Sequence, residues 1–321
     1  MPWLPRFALV LIAGLAMAPA ARAWPDRPVT IIIPFAPGNA ADVITRLLAP
    51  VLSQNWGQPV VVQNVPGASG GIGVERVVRA APDGHTLVMS GDAAIVVRVS
   101  MTPPLPYDPR RDLAPIILVA RTPNLLVVPA QAAPRNVAEL VAAARAARGG
   151  YNYGHAGPGT SVQIASELLV QMAGIELTGV GYPSLPAVLQ DVMAGRLDLA
   201  FLPAVVAGSM VAEGRLRALA LSSPGRLASL PDVPSLAEQG YPGFDASAWF
   251  GLLAPAATPA PILTRVHADV TAALATPAMR ARLDGLGAVT LGHTPEEFQA
   301  LIASEIPRMA EVLRRAGITG Q

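Results

Sequence analysis

Val29-Thr-Ile-Ile-Ile-Pro-Phe-Ala-Pro-Gly-Asn-Ala-Ala-Asp42 runs from an apolar strand through a glycine turn into a helix, and this order of elements decides the fold. Residues 29–33 are all β-branched and, apart from Thr30, apolar, which is the pattern of a strand covered on both faces in a parallel sheet. Pro34 and Pro37 end it. Asn39 is placed to cap the following helix and Asp42 to act three positions on in a capping-box-like role. Val43, Ile44, Leu47, Leu48, Val51 and Leu52 make one apolar stripe. The first helical turn then points backbone N–H groups without intrahelical partners at the C-terminal edge of the sheet, where open α/β folds bind ligands. A first βα unit without any ligand fits the same stretch.

The alternation continues beyond it. Residues 59–63 read as a second strand, the loop at 66–71 leads into a helix over about 72–80, and residues 86–90 form a third strand ending in Gly91-Asp92. This βαβαβ pattern implies parallel strands and right-handed crossovers. After a proline-dense connection at 102–112, strands at 116–119 and 125–128 are split by Thr122-Pro123-Asn124, and the alternation starts afresh. A helix at 137–147, a strand at 151–153, the loop 154–161 and a helix to Ala173 follow, the last with Ile164, Leu168, Leu169 and Met172 as its expected buried stripe. Strand and helix then alternate to Leu221. Past the apolar strand at 246–253 come helices at 260–275, 277–286 and 295–316, with one short strand near Val289. Three helices without a sheet have no core of their own and should pack back on the first sheet. Two domains are therefore expected, residues 24–123 with 250–321 and residues 124–249. The chain would cross between them near Asn124 and near Trp249, which makes a hinge with a cleft.

The 321 residues are 52% apolar and 14% charged, which excludes disorder and suffices for two domains. Arg6, the apolar run at 7–18 and Ala21-Arg-Ala23 make residues 1–23 a secretory signal peptide. The run is too short to span a bilayer. With no cysteine there is no disulfide, thiol nucleophile or lipid-anchoring thiol, so a free, soluble protein outside the cytoplasm is expected. Removing Arg6 and Arg22 with the leader takes the formal charge from +1 to −1, and the arginines are scattered, so nucleic acid is not an expected partner.

Gly157-Pro-Gly-Thr-Ser161 repeats the logic of Gly38-Asn-Ala-Ala-Asp42, a glycine turn before a helix N-terminus. Two such loops in hinged domains can face one another. A hydrogen bond from an open amide to a charged acceptor is worth roughly 1.5–3 kcal/mol, against about 0.3–1 kcal/mol for a helix dipole alone. Neither loop carries a basic residue, so a small carboxylate suits them better than phosphate, and binding should change little with ionic strength. Thr160 and Ser161 can add hydroxyl donors or act as N-caps. His155 lies in the loop without a carboxylate or second histidine nearby, and no histidine spacing suits a metal; neither metal nor cofactor is expected. Gly67-Ala-Ser-Gly-Gly71 matches G-x-S-x-G and leaves a serine hydrolase using Ser69 as an alternative.

Several short stretches in order, among them Trp24-Pro-Asp-Arg-Pro28, Pro34-Phe-Ala-Pro-Gly38, Asn64-Val-Pro-Gly67, Ala80-Ala-Pro-Asp-Gly84, Leu105-Pro-Tyr-Asp-Pro109, Leu230-Pro-Asp-Val-Pro234 and Trp249-Phe-Gly-Leu-Leu-Ala-Pro255, resemble the substrate-binding proteins of tripartite tricarboxylate transporters, the Bug receptors. The resemblance implies a two-domain periplasmic-binding-protein fold of type II, each domain a mixed, mostly parallel α/β sheet flanked by helices. It also implies a monomeric, non-enzymatic receptor that closes on a small carboxylated solute and delivers it to an integral membrane permease of that type. A sensory receptor feeding a signalling partner would look alike. The binding residues it implies are Phe35, Pro37, Gly38, Asn39, Ala40 and Asp42; Ser90 and Asp92; His155, Gly157, Gly159, Thr160 and Ser161; Tyr182 and Ser184; and Leu202. The chain departs from the family pattern at Asn39, Gly91-Asp-Ala-Ala-Ile95, Pro158, Pro183-Ser184 and Leu202-Pro203. Fewer polar groups there suggest a ligand with one carboxylate and an apolar body, hence weak binding of citrate. Asp42 with Asp92 could instead hold an ammonium, which would make the ligand an amino acid.

Overall fold

The computed structural model describes residues 24–147 and 150–318; the leader expected at 1–23 lies outside them. The first run of elements is β1 (Val29–Ile33), α1 (Ala40–Trp56), β2 (Val60–Asn64), α2 (Gly71–Val78), β3 (Thr86–Gly91), a short α3 (Pro109–Asp112) and β4 (Leu113–Thr122). The second is β5 (Asn124–Pro129), α4 (Val137–Ala146), β6 (Tyr151–His155), α5 (Ser161–Ala173), β7 (Leu177–Gly181), α6 (Leu185–Met193), β8 (Ala200–Pro203), α7 (Ala204–Ala212) and β9 (Leu216–Leu221). The last is β10 (Ala248–Pro255), α8 (Ala260–Ala275), α9 (Pro277–Gly285), β11 (Val289–His293) and α10 (Pro295–Ala316).

The period-2 geometry of β1 explains why all its faces are apolar. Ile31 and Ile33 pack with Leu87 and Met89 of β3 in the core that α1 and α8 cover, whereas Ile32 and Val88 pack in the opposite core, under α2 and α10. The late helices do return to this sheet, α8 against β4 and α1, and α10 against β4. In the second domain Leu126 and Val128 of β5 face the core of α4 and α5, and Leu125 and Val127 face that of α6 and α7. Along α5, Ile164 and Leu169 are buried as the stripe requires, but Met172 is 39% exposed and Ala173 takes the buried place on the last turn.

The first sheet has the order β11-β4-β10-β3-β1-β2. Only β1, β2 and β3 pair in parallel; β10 lies antiparallel to β3 and β4, and β11 to β4. The second comprises β8-β5-β9, antiparallel throughout, and a parallel β6–β7 pair joined to it by a bridge between Tyr153 and Leu199. The sheets are mixed, but parallel pairing is not the majority that the βα alternation implied. The cause is the hinge. β4 carries the chain out of the first sheet and β10 carries it back alongside, so the two run in opposite directions.

Both crossings meet at Asn124, which is fully buried. Its amide donates to Ser222 Oγ (2.8 Å), its carbonyl accepts from the Ser222 amide (2.8 Å), and its Nδ2 donates to the Ala246 carbonyl (2.7 Å). One residue therefore ties the outgoing strand to both ends of the returning segment, to Ser222 by its backbone and to Ala246 by its side chain. Trp249, two residues into β10's neighbourhood of the hinge, stacks edge-on against Phe298 of α10 at 5.4 Å and is a packing residue.

Candidate functional site

A cavity of about 460 Å3 lies between the domains at the C-terminal edges of β1 and β3, within the roughly 300–1,000 Å3 usual for ligand pockets. The N-terminal turns of α1, α5 and α6 reach it, and so do Gly70 and Pro203, which precede α2 and α7. Among the contacts between the domains around it, the Ser69 hydroxyl donates to the Pro158 carbonyl at 3.0 Å, Gly38 abuts Pro186, and Gly159 abuts Val97 and Met101.

At α1, Asn39 is the expected cap, its Oδ1 accepting the Asp42 amide at 3.0 Å while its Nδ2 donates to the Ala36 carbonyl. The Asp42 carboxylate accepts from the Gly38 amide (2.9 Å), Asn64 Nδ2 (3.0 Å) and Arg46 Nε (3.0 Å). Burial alone would raise its pKa, but these bonds and the Arg46 charge hold it below the usual carboxylate range. It is a loop clamp, and neither it nor Gly38 nor Pro37 lines the cavity.

The α5 terminus is organised differently. Gly157 and Gly159 both have positive φ, +113° and +71°, which turn the chain sharply into the helix. The Gly157 amide donates to His155 Nδ1 (3.3 Å) and the Gly159 amide to Gln163 Oε1 (2.7 Å). Burial lowers the His155 pKa, consistent with a neutral ring accepting that bond. Thr160 stands at the N-cap position but makes no cap bond; its hydroxyl donates back to the Gly157 carbonyl at 2.9 Å. The amides of Ser161 and Val162 are left with no intrahelical acceptor and no capping side chain, and both residues line the cavity. Ser184 likewise precedes α6 without a cap bond and lines the wall.

Asp92 lines the same cavity and also a smaller one of about 220 Å3 behind it, where Arg121, Asp245, Glu305 and Arg308 lie. Burial pushes the Asp92 carboxyl up to about 7; the Glu305 charge adds to the rise, and the Ala93 amide and Arg308 oppose it.

Of the residues expected at the site, Phe35, Asn39, Ala40, Asp92, Gly157, Thr160, Ser161, Tyr182 and Ser184 line the cavity. The others do not. Ser90 is fully buried in β3, His155 and Gly159 sit behind the loop they shape, and Leu202 points into the core under α6 and α7 because alternation along β8 turns it away from the cleft. Tyr182 presents its ring only, since its hydroxyl donates to Asp191 at 2.7 Å. Further residues line it that the sequence did not point to, among them Ala248 and Phe250 of β10. Residues 66–70 line the wall, with Ala68 and Ser69 at positive φ, and among the described residues no hydrogen bond joins Ser69 to a histidine or carboxylate. The glycine-rich loop after the strand beside β1 was the available signal. Arg98, Met101, Thr102 and Pro103 also line it, brought there by a π-helical turn at Ala93–Val97 that follows β3. The two glycine loops carry no basic residue, as expected, but Arg98, outside both, reaches the ligand space.

Residues 44–318 match the model of the tripartite tricarboxylate transporter family receptor. The chain belongs to this family. It is 34% identical over 311 residues to Protein BugT of Bordetella pertussis, covering 96% of this chain and 95% of that one. Among solved structures, R. palustris Rpa4515 with adipate superposes with a TM-score of 0.88 at 33% identity, covering 92% of this chain and 99% of that one. MatC (Rpa3494) from Rhodopseudomonas palustris with bound malate gives 0.84 at 33% identity, covering 90% and 100%. The family receptor fold is the two-domain periplasmic-binding-protein fold described above, and its members are substrate-binding proteins.

Proposed function

We propose that this receptor captures a small carboxylated solute between its two domains and delivers it, as a monomer and without chemical conversion, to an integral membrane permease of the tripartite tricarboxylate type. Residues 1–23 would direct it to the periplasm. The observation that carries the reading is the uncapped N-terminus of α5, where the amides of Ser161 and Val162 open on the cavity with Thr160 turned away from them. A carboxylate oxygen is the acceptor these donors lack. The two similar structures named with adipate and malate support a carboxylate as the ligand. The amino-acid alternative is weakened, since Asp42 is engaged outside the cavity and burial pushes the Asp92 carboxyl up to about 7, so that it carries only part of its charge at neutrality.

The test is a thermal-shift screen of the protein from Trp24 onward against mono-, di- and tricarboxylates, aromatic acids and amino acids. A ligand at a hundred times its dissociation constant should add about 2.7 kcal/mol, a clear rise in melting temperature. No shift from any carboxylate, with a cooperative baseline, would contradict the reading.

Asp92 gives the binding a pH dependence. A ligand carboxylate at α5 sits in the same cavity as Asp92, so it binds best while Asp92 is protonated. Affinity should fall as pH rises through about 7, by at most about tenfold per unit, and Asp92→Asn should flatten the profile. The same group makes the free protein less stable as pH rises from its unfolded value near 4 toward 7, because only the folded state holds the proton there. Calorimetric titration at pH 6 and 8 reads the first effect; equal affinities at the two would refute it.

A further inference from the structure

Arg98 is the only arginine buried among the described residues, 7% exposed, and it lines the ligand cavity. It is held there by its surroundings: it follows the buried π-helical turn Ala93–Val97, and its Nε lies 4.0 Å from where a Cβ on Gly71 would stand. A guanidinium stays charged at any physiological pH and carries five N–H donors. Among the described residues the Arg98 guanidinium has one hydrogen bond, a long one of 3.3 Å from Nη1 to the Met101 carbonyl, and no carboxylate within ion-pair distance. By contrast Arg217, also turned inward, satisfies its head group with the carbonyls of Ala130, Ala132 and Pro134. A buried cation with so few partners is unfavourable unless an anion or water in the adjoining space completes it.

Resting on the carboxylate-receptor reading, we infer that Arg98 is the specificity-determining residue of this receptor, taking a second acidic group at the far end of a ligand whose first carboxylate sits at the α5 amides. The two anchors come from different domains, so a ligand with two acid groups bridges the cleft and a monoacid reaches only one side. This differs from the expectation of a ligand with one carboxylate and an apolar body, which rested on the few polar groups of the loops and of residues 91–95 and did not include Arg98.

The experiment compares chain-matched pairs, butanoate with succinate and hexanoate with adipate, by calorimetric titration of the wild-type receptor, Arg98→Gln and Arg98→Lys. The wild type should prefer the best diacid over its matching monoacid by about tenfold to a hundredfold, the range a charged hydrogen bond of roughly 1.5–3 kcal/mol supplies. Arg98→Gln should show no preference within either pair, while Arg98→Lys keeps part of it. The wild-type comparison needs no variant, so a misfolded Arg98→Gln does not spare the inference. Equal binding of monoacid and diacid by the wild type overturns it while leaving the receptor reading intact. Preference retained in folded Arg98→Gln assigns the second acid to another group and also overturns it. Absence of binding by every acid in the panel sinks both together.

Discussion

Gly159→Ala is expected to weaken ligand binding by about tenfold to a hundredfold while the protein stays folded. Two costs arise at this position, and they fall on different states. Gly159 has φ +71°, where an L-residue is strained by about 1–2 kcal/mol whether the cleft is open or shut. A Cβ there would also lie 2.7 Å from Val97 Cγ1 and 2.8 Å from Met101 Sδ, both in the facing domain. Met101 can swing aside. Val97 is fully buried in the core under α10 and cannot, so the loop at α5 must retreat from the π-helical turn. Overpacking of this kind costs about 1–3 kcal/mol, and it is felt only when the domains are together. Gly174→Ala is the control. Gly174 caps the other end of α5 at φ +58°, with nothing nearer than Arg145 Nη2 at 4.0 Å. It should lose stability by a similar few degrees of melting temperature and no affinity. Calorimetric titration of both variants decides the matter: unchanged affinity in Gly159→Ala would mean that binding does not require the α5 loop to sit against that turn.

Where sequence and structure agree, local chemistry was decisive. β1 begins and ends at the residues its β-branched run and Pro34 mark, and Asn39 caps α1 as its side chain allows. The α5 loop was recognisable because glycine at positive φ before a helix leaves open amides. What local chemistry could not specify was direction. Asp42 is as plausible a ligand group as a clamp until Arg46 and Asn64 are seen to converge on it from α1 and β2. Leu202 and Ser90 lie in strands next to the cleft, and only the register decides which face they take. Arg98 was hidden for another reason. The run Ala93-Ala-Ile-Val-Val97 reads as one more buried segment, and its π-helical winding, which delivers the next residue to the cavity, depends on packing against α10.

Substitution of Asn124 should cost the most stability of any polar replacement considered, since its buried side chain joins both crossings. In Asn124→Ala the Ala246 carbonyl loses its 2.7 Å donor inside the protein, at a cost of about 1–3 kcal/mol, and the small void adds to it. Asn124→Asp should be worse at neutral pH although it is nearly isosteric. An ionised carboxylate offers no donor to Ala246, faces its carbonyl oxygen, and is buried without a cation, a situation that costs several kcal/mol. Protonation restores a donor. The aspartate's folded pKa is therefore raised above its unfolded value of about 3.9, and the variant should be least impaired near pH 4 and lose stability as pH rises. Urea unfolding at pH 4.5 and 7.5 measures this as a midpoint that separates from the wild type with rising pH at constant slope. If Asn124→Asp matched Asn124→Ala at both pH values, the Nδ2 bond would not be what holds the hinge. The pivot would then rest on the backbone pair between Asn124 and Ser222, where Ser222→Ala removes the 2.8 Å side-chain acceptor and tests it directly.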